Sequence, residues 1–417
     1  MSKQRWIRTL LVISRGILGL AFIFSGFVKG VDPMGSAYKF TDYFTAFGVD
    51  FLEFLAMPMA FILSAAEFLI GISLLLNLKF RLGAWLVLIF MSFFTILTFI
   101  LALTNPVSDC GCFGDAIIMT NWQTFLKNII LLPFAFSVFW FRRKQPEGFT
   151  ALNSWMGLLV FALCFLWMEL HVYRHLPWMD FRPYKVGANI PEKMVLPEGV
   201  PQDEYQTFLY YEKEGKVQEF TEENFPWQDT TWKYVDARHI MISKGYEPPI
   251  HDFSIMDAFG TDITSAVLAD PGFSFLLISD HLEEAHRGAL RYAEELSTYC
   301  DATGHSFYCI TASGDAVIRE LQEELGLGFG INIMDETTLK TIIRANPGLL
   351  LLQEGTILAK WHHNDFPPAE EITTRTLSFV LTQNRRVQEK RIAIISLLVV
   401  VTAGLLIYLA IPRVKRS

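Results

Sequence analysis

Cysteine is scarce in this sequence. There are five among 417 residues, too few for a disulfide-stapled scaffold, so any chemistry they carry depends on placement and not on number. Charge is scarce too: Asp, Glu, Lys and Arg make up 19% of the chain, below the roughly one quarter usual in soluble domains. Nor is there a basic excess, since 35 Lys and Arg stand against 43 Asp and Glu for a formal net charge of −8. Neutralising nucleic-acid phosphates needs the opposite balance, which removes nucleic acid as a partner. Internal repeats and low-complexity tracts are also missing.

What is abundant is apolar surface. Hydrophobic residues account for 52% of the chain, and the lipid bilayer is the partner this implies. A helix crossing the hydrocarbon core needs roughly 20 consecutive apolar residues. Six stretches qualify, at about Leu10–Val28, Phe54–Leu76, Leu82–Leu103, Trp122–Phe141, Leu152–Leu170 and Ile392–Ile411. The first is longer than the apolar core of a secretory signal, and Ser25-Gly26-Phe27-Val28-Lys29 offers no small-x-small cleavage site, so it reads as an uncleaved span.

The basic residues orient these spans. Lys3, Arg5 and Arg8, then Lys79 and Arg81, then Arg142, Arg143 and Lys144 fall on one side, the cytoplasmic one. The last span is flanked by cations at both ends, Arg385, Arg386, Lys390 and Arg391 before it and Arg413, Lys415 and Arg416 after it, so the earlier helices set the orientation. The expectation is a multi-pass protein of a bacterial inner membrane with both termini cytoplasmic. Its parts are a four-helix membrane domain (1–145), a fifth span (146–172), an exported β-rich strap or subdomain (173–249), an exported α/β domain (250–388) and a sixth span with a tail (389–417).

The exported loop between spans three and four reads Asp109-Cys110-Gly111-Cys112-Phe113-Gly114-Asp115. Two cysteines one residue apart, on the side where disulfides form, close a smaller ring than C-x-x-C does and should be easier to reduce. Gly111 permits the unusual φ such a ring requires. An inert structural bond and metal ligation are the alternatives, although no further zinc ligands lie nearby. Charges inside the spans also mark function or pairing. Arg15 lies roughly 10 Å and Glu67 roughly 16 Å from the cytoplasmic ends of their spans, within reach of one another. Lys29 and Lys127, near the outer ends of spans one and four, would either favour a thiolate in the loop or simply snorkel to the interface. Cys164 reads as packing. His171 and His175 are spaced for metal ligation but lack an evident third ligand.

These residues resemble the DoxX-like family and most closely its methylamine-utilisation MauE branch, over about residues 8–142. The resemblance rests on Arg15 and Ser25-Gly26-Phe27-Val28-Lys29 in span one, Glu67 in span two, Asp109-Cys110-Gly111-Cys112-Phe113-Gly114 in the loop and Lys127-Asn128 in span four. It implies a four-helix membrane bundle linked to thiol or quinone redox, with disulfide formation in exported proteins as the associated process. Carried over, Cys110 and Cys112 would be the redox pair, with Glu67, Arg15 and Lys127 as polar residues of the bundle. A quinone is the cofactor this suggests, and an exported protein with thiols or a disulfide is the partner.

From about residue 250 strands and helices alternate. His251–Ile255 and Gly260–Thr264 read as strands, followed by strand Phe273–Ser279, helix Leu282–Tyr299, strand Ser306–Thr311 and helix Asp315–Leu325. Strand Ile331–Met334, helix Glu336–Ile343 and a hairpin of Leu349–Gln353 with Thr356–Trp361 complete the pattern. The order resembles the thioredoxin-like fold of the TlpA and peroxiredoxin type, with Pro347 where those families carry a cis-proline. Their catalytic dithiol would fall at Ser279-Asp280-His281-Leu282-Glu283-Glu284-Ala285-His286, where there is no cysteine. Asp280 and Glu283 have the spacing of a capping box instead. Cys300 and Cys309 are read as buried thiols or, alternatively, a disulfide. Two functions follow. One is a membrane thiol–disulfide oxidoreductase using Cys110 and Cys112. The other is a non-enzymatic membrane-anchored binding or assembly module using the cysteine-free domain to recognise an exported protein.

Overall fold

The computed structural model describes residues 3–107, 109–145, 149–197, 199–201, 204–243, 245–383 and 385. The sixth span expected at 392–411 lies outside the described residues. Among those described, five helices are long and apolar enough to cross a membrane. They are α1 (Lys3–Val31), α3 (Ala56–Leu76), α4 (Phe80–Thr104), α5 (Asn121–Phe141) and α6 (Ala151–Arg174), and a shorter helix, α2 (Pro33–Ala46), lies between the first two. Asp32 caps α2 by accepting the Gly35 N–H at 3.0 Å, with Pro33 at the first helical position. Helices α3 and α4 are joined by Asn77–Lys79, where Asn77 and Lys79 take left-handed φ values. Thr120 starts α5 with a reciprocal capping box to Gln123.

Helices α1 and α3 approach closely because glycine lines their crossing. A Cβ on Gly26 would lie 2.5 Å from the Phe68 nitrogen, and one on Gly71 would lie 2.7 Å from the Ile23 nitrogen. Small residues let backbones meet in this way in a membrane, where packing replaces the hydrophobic effect. Behind the crossing, Leu11, Leu18, Phe22, Ile70 and Leu74 pack with Val87 and Met91 of α4 and Val138 of α5. The result is a membrane helical bundle.

After α6 the chain crosses the α/β domain, contributes α7 (Ile190–Met194), and then makes an excursion of three strands, β1 (Glu204–Lys213), β2 (Lys216–Thr221) and β3 (Lys233–Ser243). They form an antiparallel sheet of order β2-β1-β3. No residue of 204–243 with described burial is buried. Tyr211 contacts Phe220, Phe225 and Tyr234 at 5.8–6.4 Å between ring centroids, and Phe220 contacts Trp232 at 5.1 Å.

The α/β domain continues with α8 (Thr264–Leu268), β4 (Ser274–Ser279), α9 (Arg287–Thr303), β5 (Ser306–Thr311), α10 (Asp315–Leu325), β6 (Ile331–Ile333), α11 (Glu336–Ile342), β7 (Gly348–Gln353), β8 (Thr356–His362) and α12 (Ala369–Thr374). Its sheet runs β6-β5-β4-β7-β8, with β4, β5 and β6 parallel and β7 and β8 antiparallel to their neighbours. This is a thioredoxin-like arrangement. Every residue of β4 is buried, as a central strand covered on both faces requires. Phe275 and Leu277 face α9, α10 and α12, while Leu276 and Ile278 face α8, α11 and the crossing segment at Tyr184 and Ile190.

Two local expectations differ, and a third holds in its first reading. His251–Ile255 and Gly260–Thr264 form no named strands, only isolated bridges of Met256 to Asp262 and to Ile333. The Asp280–Glu283 capping box does not form, because α9 starts at Arg287 with His286 as its cap. Glu283 instead accepts the Ser313 hydroxyl at 2.7 Å. Cys300 and Cys309 are free, buried thiols in one apolar cluster.

Candidate functional site

The thiol loop lies at one end of the bundle, between α4 and α5. The Cys110 and Cys112 sulfurs stand 3.2 Å apart as free thiols, Cys110 buried and Cys112 half-buried. Gly111 between them has φ +64°, and a Cβ there would meet Lys39 at 3.2 Å. This is a position where glycine supplies both the backbone angle and the space. The Gly111 N–H donates to Asp109 at 2.8 Å.

The bundle grips this loop through side chains far away in sequence. Lys39 of α2 pairs with Asp109 at 2.8 Å, and the Tyr43 hydroxyl donates to the Cys110 carbonyl at 2.9 Å. The Ser25 hydroxyl of α1 lies 2.7 Å from the Cys112 carbonyl and 2.8 Å from Glu67, and it accepts from Lys29 at 3.2 Å. Lys29 and Glu67 form a buried ion pair at 2.8 Å. Lys127 sits over the Phe113 ring at 4.4 Å. Such buried charges require partners in the membrane, and here the partners lie directly beneath the thiols.

The environment separates the two sulfurs chemically. The Cys110 thiol hydrogen bond draws Cys112 well below the ordinary thiol range, assisted by Lys127 and Lys29 and opposed by burial. Cys110 is pushed upward by giving that bond and by burial. In the α/β domain burial raises both Cys300 and Cys309 to about 12, which makes them poor nucleophiles at neutral pH.

The α/β domain reaches the same place. Arg344, between α11 and β7, is buried and places Nε 2.9 Å from Asp32 and Nη2 3.1 Å from Asp115. Burial alone would raise the Asp32 carboxyl, but the Arg344 and Arg182 guanidiniums hold it below its usual range. Burial dominates at Asp115, which is held above it. A narrow crevice lined by Lys29, Asp32, Lys39, Gly111, Asp115 and Arg182 runs along this junction.

Of the residues singled out in the sequence, Cys110, Gly111, Cys112, Asp109, Lys29, Glu67 and Lys127 gather around the loop. Arg15 does not: it donates to the Leu75 carbonyl at 2.8 Å, toward the other end of the bundle, and Glu67 pairs with Lys29 instead. The Asn346–Pro347 bond is cis. The His171 and His175 rings meet tilted at 4.6 Å between centroids, and His175 bonds to Asp365 at 2.8 Å. Sequence reasoning passed over Ser25 as a ligand of the loop, Lys39, Tyr43, Asp115, Arg344, and Glu169. Glu169 is fully buried in α6 against the Ser64 hydroxyl, and its second carboxyl oxygen has no hydrogen-bond partner among the described residues. Its signal was visible as an acid inside an apolar span, and that of α2 as the Asp32-Pro33 helix start.

The apolar groove between α3, α4 and α6 is lined by Leu69, Ile70, Leu86, Phe90 and Leu158, and its one hydroxyl, Ser73, already donates to the Leu78 carbonyl. For a quinone this lining carries the Trp155 indole N–H as a donor, but it lies by the α3–α4 turn, at the end of the bundle opposite the thiol loop.

Among solved structures, the chain is similar to a candidate protein disulfide isomerase from Bacteroides thetaiotaomicron, at 14% identity and TM-score 0.25, covering 33% of this chain and 86% of that one. It is similar to the thioredoxin domain of a thiol-disulfide oxidoreductase from Bacteroides vulgatus, at 14% identity and TM-score 0.25, covering 31% and 92%. A bacterioferritin comigratory protein from Xanthomonas campestris matches at 10% identity and TM-score 0.23, covering 31% and 91%. No curated protein matches. Residues 205–244 match a domain of unknown function, DUF8463. Residues 7–141, which run from the first turns of α1 to the end of α5 and include the whole thiol loop, match the family model of the methylamine utilisation protein MauE.

Proposed function

We propose that this chain is a membrane thiol–disulfide redox protein that exchanges electrons with an exported partner through Cys110 and Cys112. The carrying observation is a dithiol with its sulfurs 3.2 Å apart, backed by Lys29 and Lys127 at the end of a membrane bundle. The distribution of Lys and Arg supports placing this end, with the α/β domain, on the periplasmic side of an inner membrane. In the reducing direction the Cys112 thiolate attacks a partner disulfide, forming a mixed disulfide and releasing one partner thiolate. The Cys110 sulfur, giving up its proton, then attacks Cys112 and releases the second partner thiolate. Two electrons have moved to the partner and a Cys110–Cys112 disulfide remains; the reverse sequence oxidises a partner dithiol.

The alternative, a binding module built on the α/β domain, draws on the lack of a thiol at Ser279–His286. Against it, the loop preceding Pro347 is engaged with the bundle through Arg344. Replacing Cys110 and Cys112 by serine in cells tests the redox reading. We expect an altered thiol-redox state in exported proteins, together with loss of the mixed disulfide trapped by the single Cys110→Ser variant. Normal exported thiols at wild-type abundance of the double variant would refute it.

A further inference from the structure

We infer that Arg344 of the α/β domain is a positioning residue for the thiol pair: its guanidinium pins the turn after Cys112 to the start of α2 and so fixes where the two sulfurs stand. This role rests on the redox reading above.

Among the described residues, four polar anchors hold the loop around the dithiol. Asp109 is held by Lys39, the Cys110 carbonyl by Tyr43 and the Cys112 carbonyl by Ser25, all from the bundle. The fourth anchor is Asp115, three residues past Cys112, and its carboxylate takes Arg344 Nη2 at 3.1 Å. The same guanidinium gives Nε to both Asp32 oxygens at 2.9 and 3.1 Å. Asp32 in turn caps α2, the helix that supplies Lys39 and Tyr43. One planar cation therefore joins the helix bearing two of the loop's anchors to the loop's own far end. A forked donor suits this geometry, whereas a lysine, acting as a point charge, would not span both carboxylates.

The guanidinium is itself held. Its Nη1 donates to the Lys340 carbonyl at 2.6 Å, and it lies over the Tyr38 ring at 5.2 Å. Gly35 leaves room for it, since a Cβ there would fall 2.8 Å from Nη2 and 2.7 Å from Asp32 Oδ2. The Arg344 side chain is 7% exposed and that of Asp32 15%, so solvent screens this clamp far less than a surface pair. A domain without a dithiol at its own catalytic position thus acts on the thiols of another.

The test is the pH profile of Cys112 alkylation in the full-length, detergent-solubilised protein, read peptide by peptide with iodoacetamide. Asp115→Asn removes the ion pair of the fourth anchor while leaving the Arg344–Asp32 pair in place, and Arg344→Gln removes both. Each is expected to move the Cys112 midpoint to higher pH and to cut the rate about tenfold at pH values well below the midpoint, the change in thiolate fraction there for one unit. The double variant should be no worse than Arg344→Gln alone, and Arg344→Lys should restore only part of the loss. Should Arg344→Gln fail to fold, Asp115→Asn decides alone. An unchanged midpoint in Asp115→Asn, or effects that multiply in the double variant, would overturn the role of Arg344. Normal exported thiols in cells lacking Cys110 and Cys112 would instead defeat the redox reading and leave this alkylation result standing.

Discussion

At the scale of single residues, two cysteines that look equivalent in sequence are made different by their neighbours. The sulfurs stand 3.2 Å apart, and the Cys110 hydrogen bond is the largest influence lowering the Cys112 thiol below its ordinary range. The sign follows: a thiol whose folded pKa is depressed stays ionised as pH falls below the ordinary thiol range and loses its charge only lower down. Alkylation of Cys112 should therefore stay near its alkaline rate at pH 7, while Cys300 and Cys309 stay unlabelled in the folded protein. Cys110→Ala removes the donor and should shift the Cys112 profile to higher pH by about one unit or more. A profile that does not move would mean that Lys29 and Lys127 alone set the thiolate.

At the scale of elements, the distance between α1 and α3 governs the site, because Ser25 and Lys29 reach Glu67 only across a glycine crossing. A Cβ at Gly26 would meet backbone atoms, the Phe68 nitrogen at 2.5 Å and the Ser64 oxygen at 2.6 Å, and backbone cannot swing aside. Gly16, in the same helix, has nothing within 4 Å of its Cβ position. Gly26→Ala should then destabilise the bundle by about 1–3 kcal/mol through overpacking. Gly16→Ala should stabilise α1 by about 0.5–1 kcal/mol, since alanine is the better helix former. Thermal unfolding in detergent distinguishes the two, and equal effects of like sign would contradict the packing argument.

The elements also show what was legible beforehand. The five described spans and the strands from Ser274 to His362 were readable, because each carries its own signal, an apolar run of bilayer length or a buried strand closed by a turn. Helix α2 was not recognised, although Asp32-Pro33 announces a helix start; at 14 residues with mixed polarity it lacks the apolar run of a span. At residues 280–286 the three-residue spacing of Asp280 and Glu283 predicts a capped helix, but a competitor takes the glutamate. Ser313, brought over from the β5–α10 connection, takes both Glu283 and the Leu282 N–H.

At the scale of the whole molecule, the three-stranded sheet stands apart. Its entry and exit meet where the Tyr246 N–H donates to the Pro201 carbonyl at 2.8 Å, and none of its described residues contributes to a buried core. Replacing residues 202–245 by a short Gly-Ser linker should cost the remaining protein no more than about 1 kcal/mol and leave the Cys112 alkylation profile unchanged. A large loss of thermal stability would show that the sheet supports the α/β domain.

Membrane crossing, a Cys-Gly-Cys turn after the third span, and a downstream α/β domain without a dithiol at the usual thioredoxin position are all legible along the chain. Each is written in local patterns of length, periodicity and residue type. Only the tertiary structure decided that Glu67 pairs with Lys29 and not Arg15, and that Arg344 closes on Asp32 across 312 residues. Ion pairs at such separations follow from how helices and sheet pack, and nothing in the neighbourhood of either residue encodes its partner. The same packing adds to the local Cys110 hydrogen bond the charges of Lys127 and Lys29, from α5 and α1, which no stretch of sequence brings to Cys112.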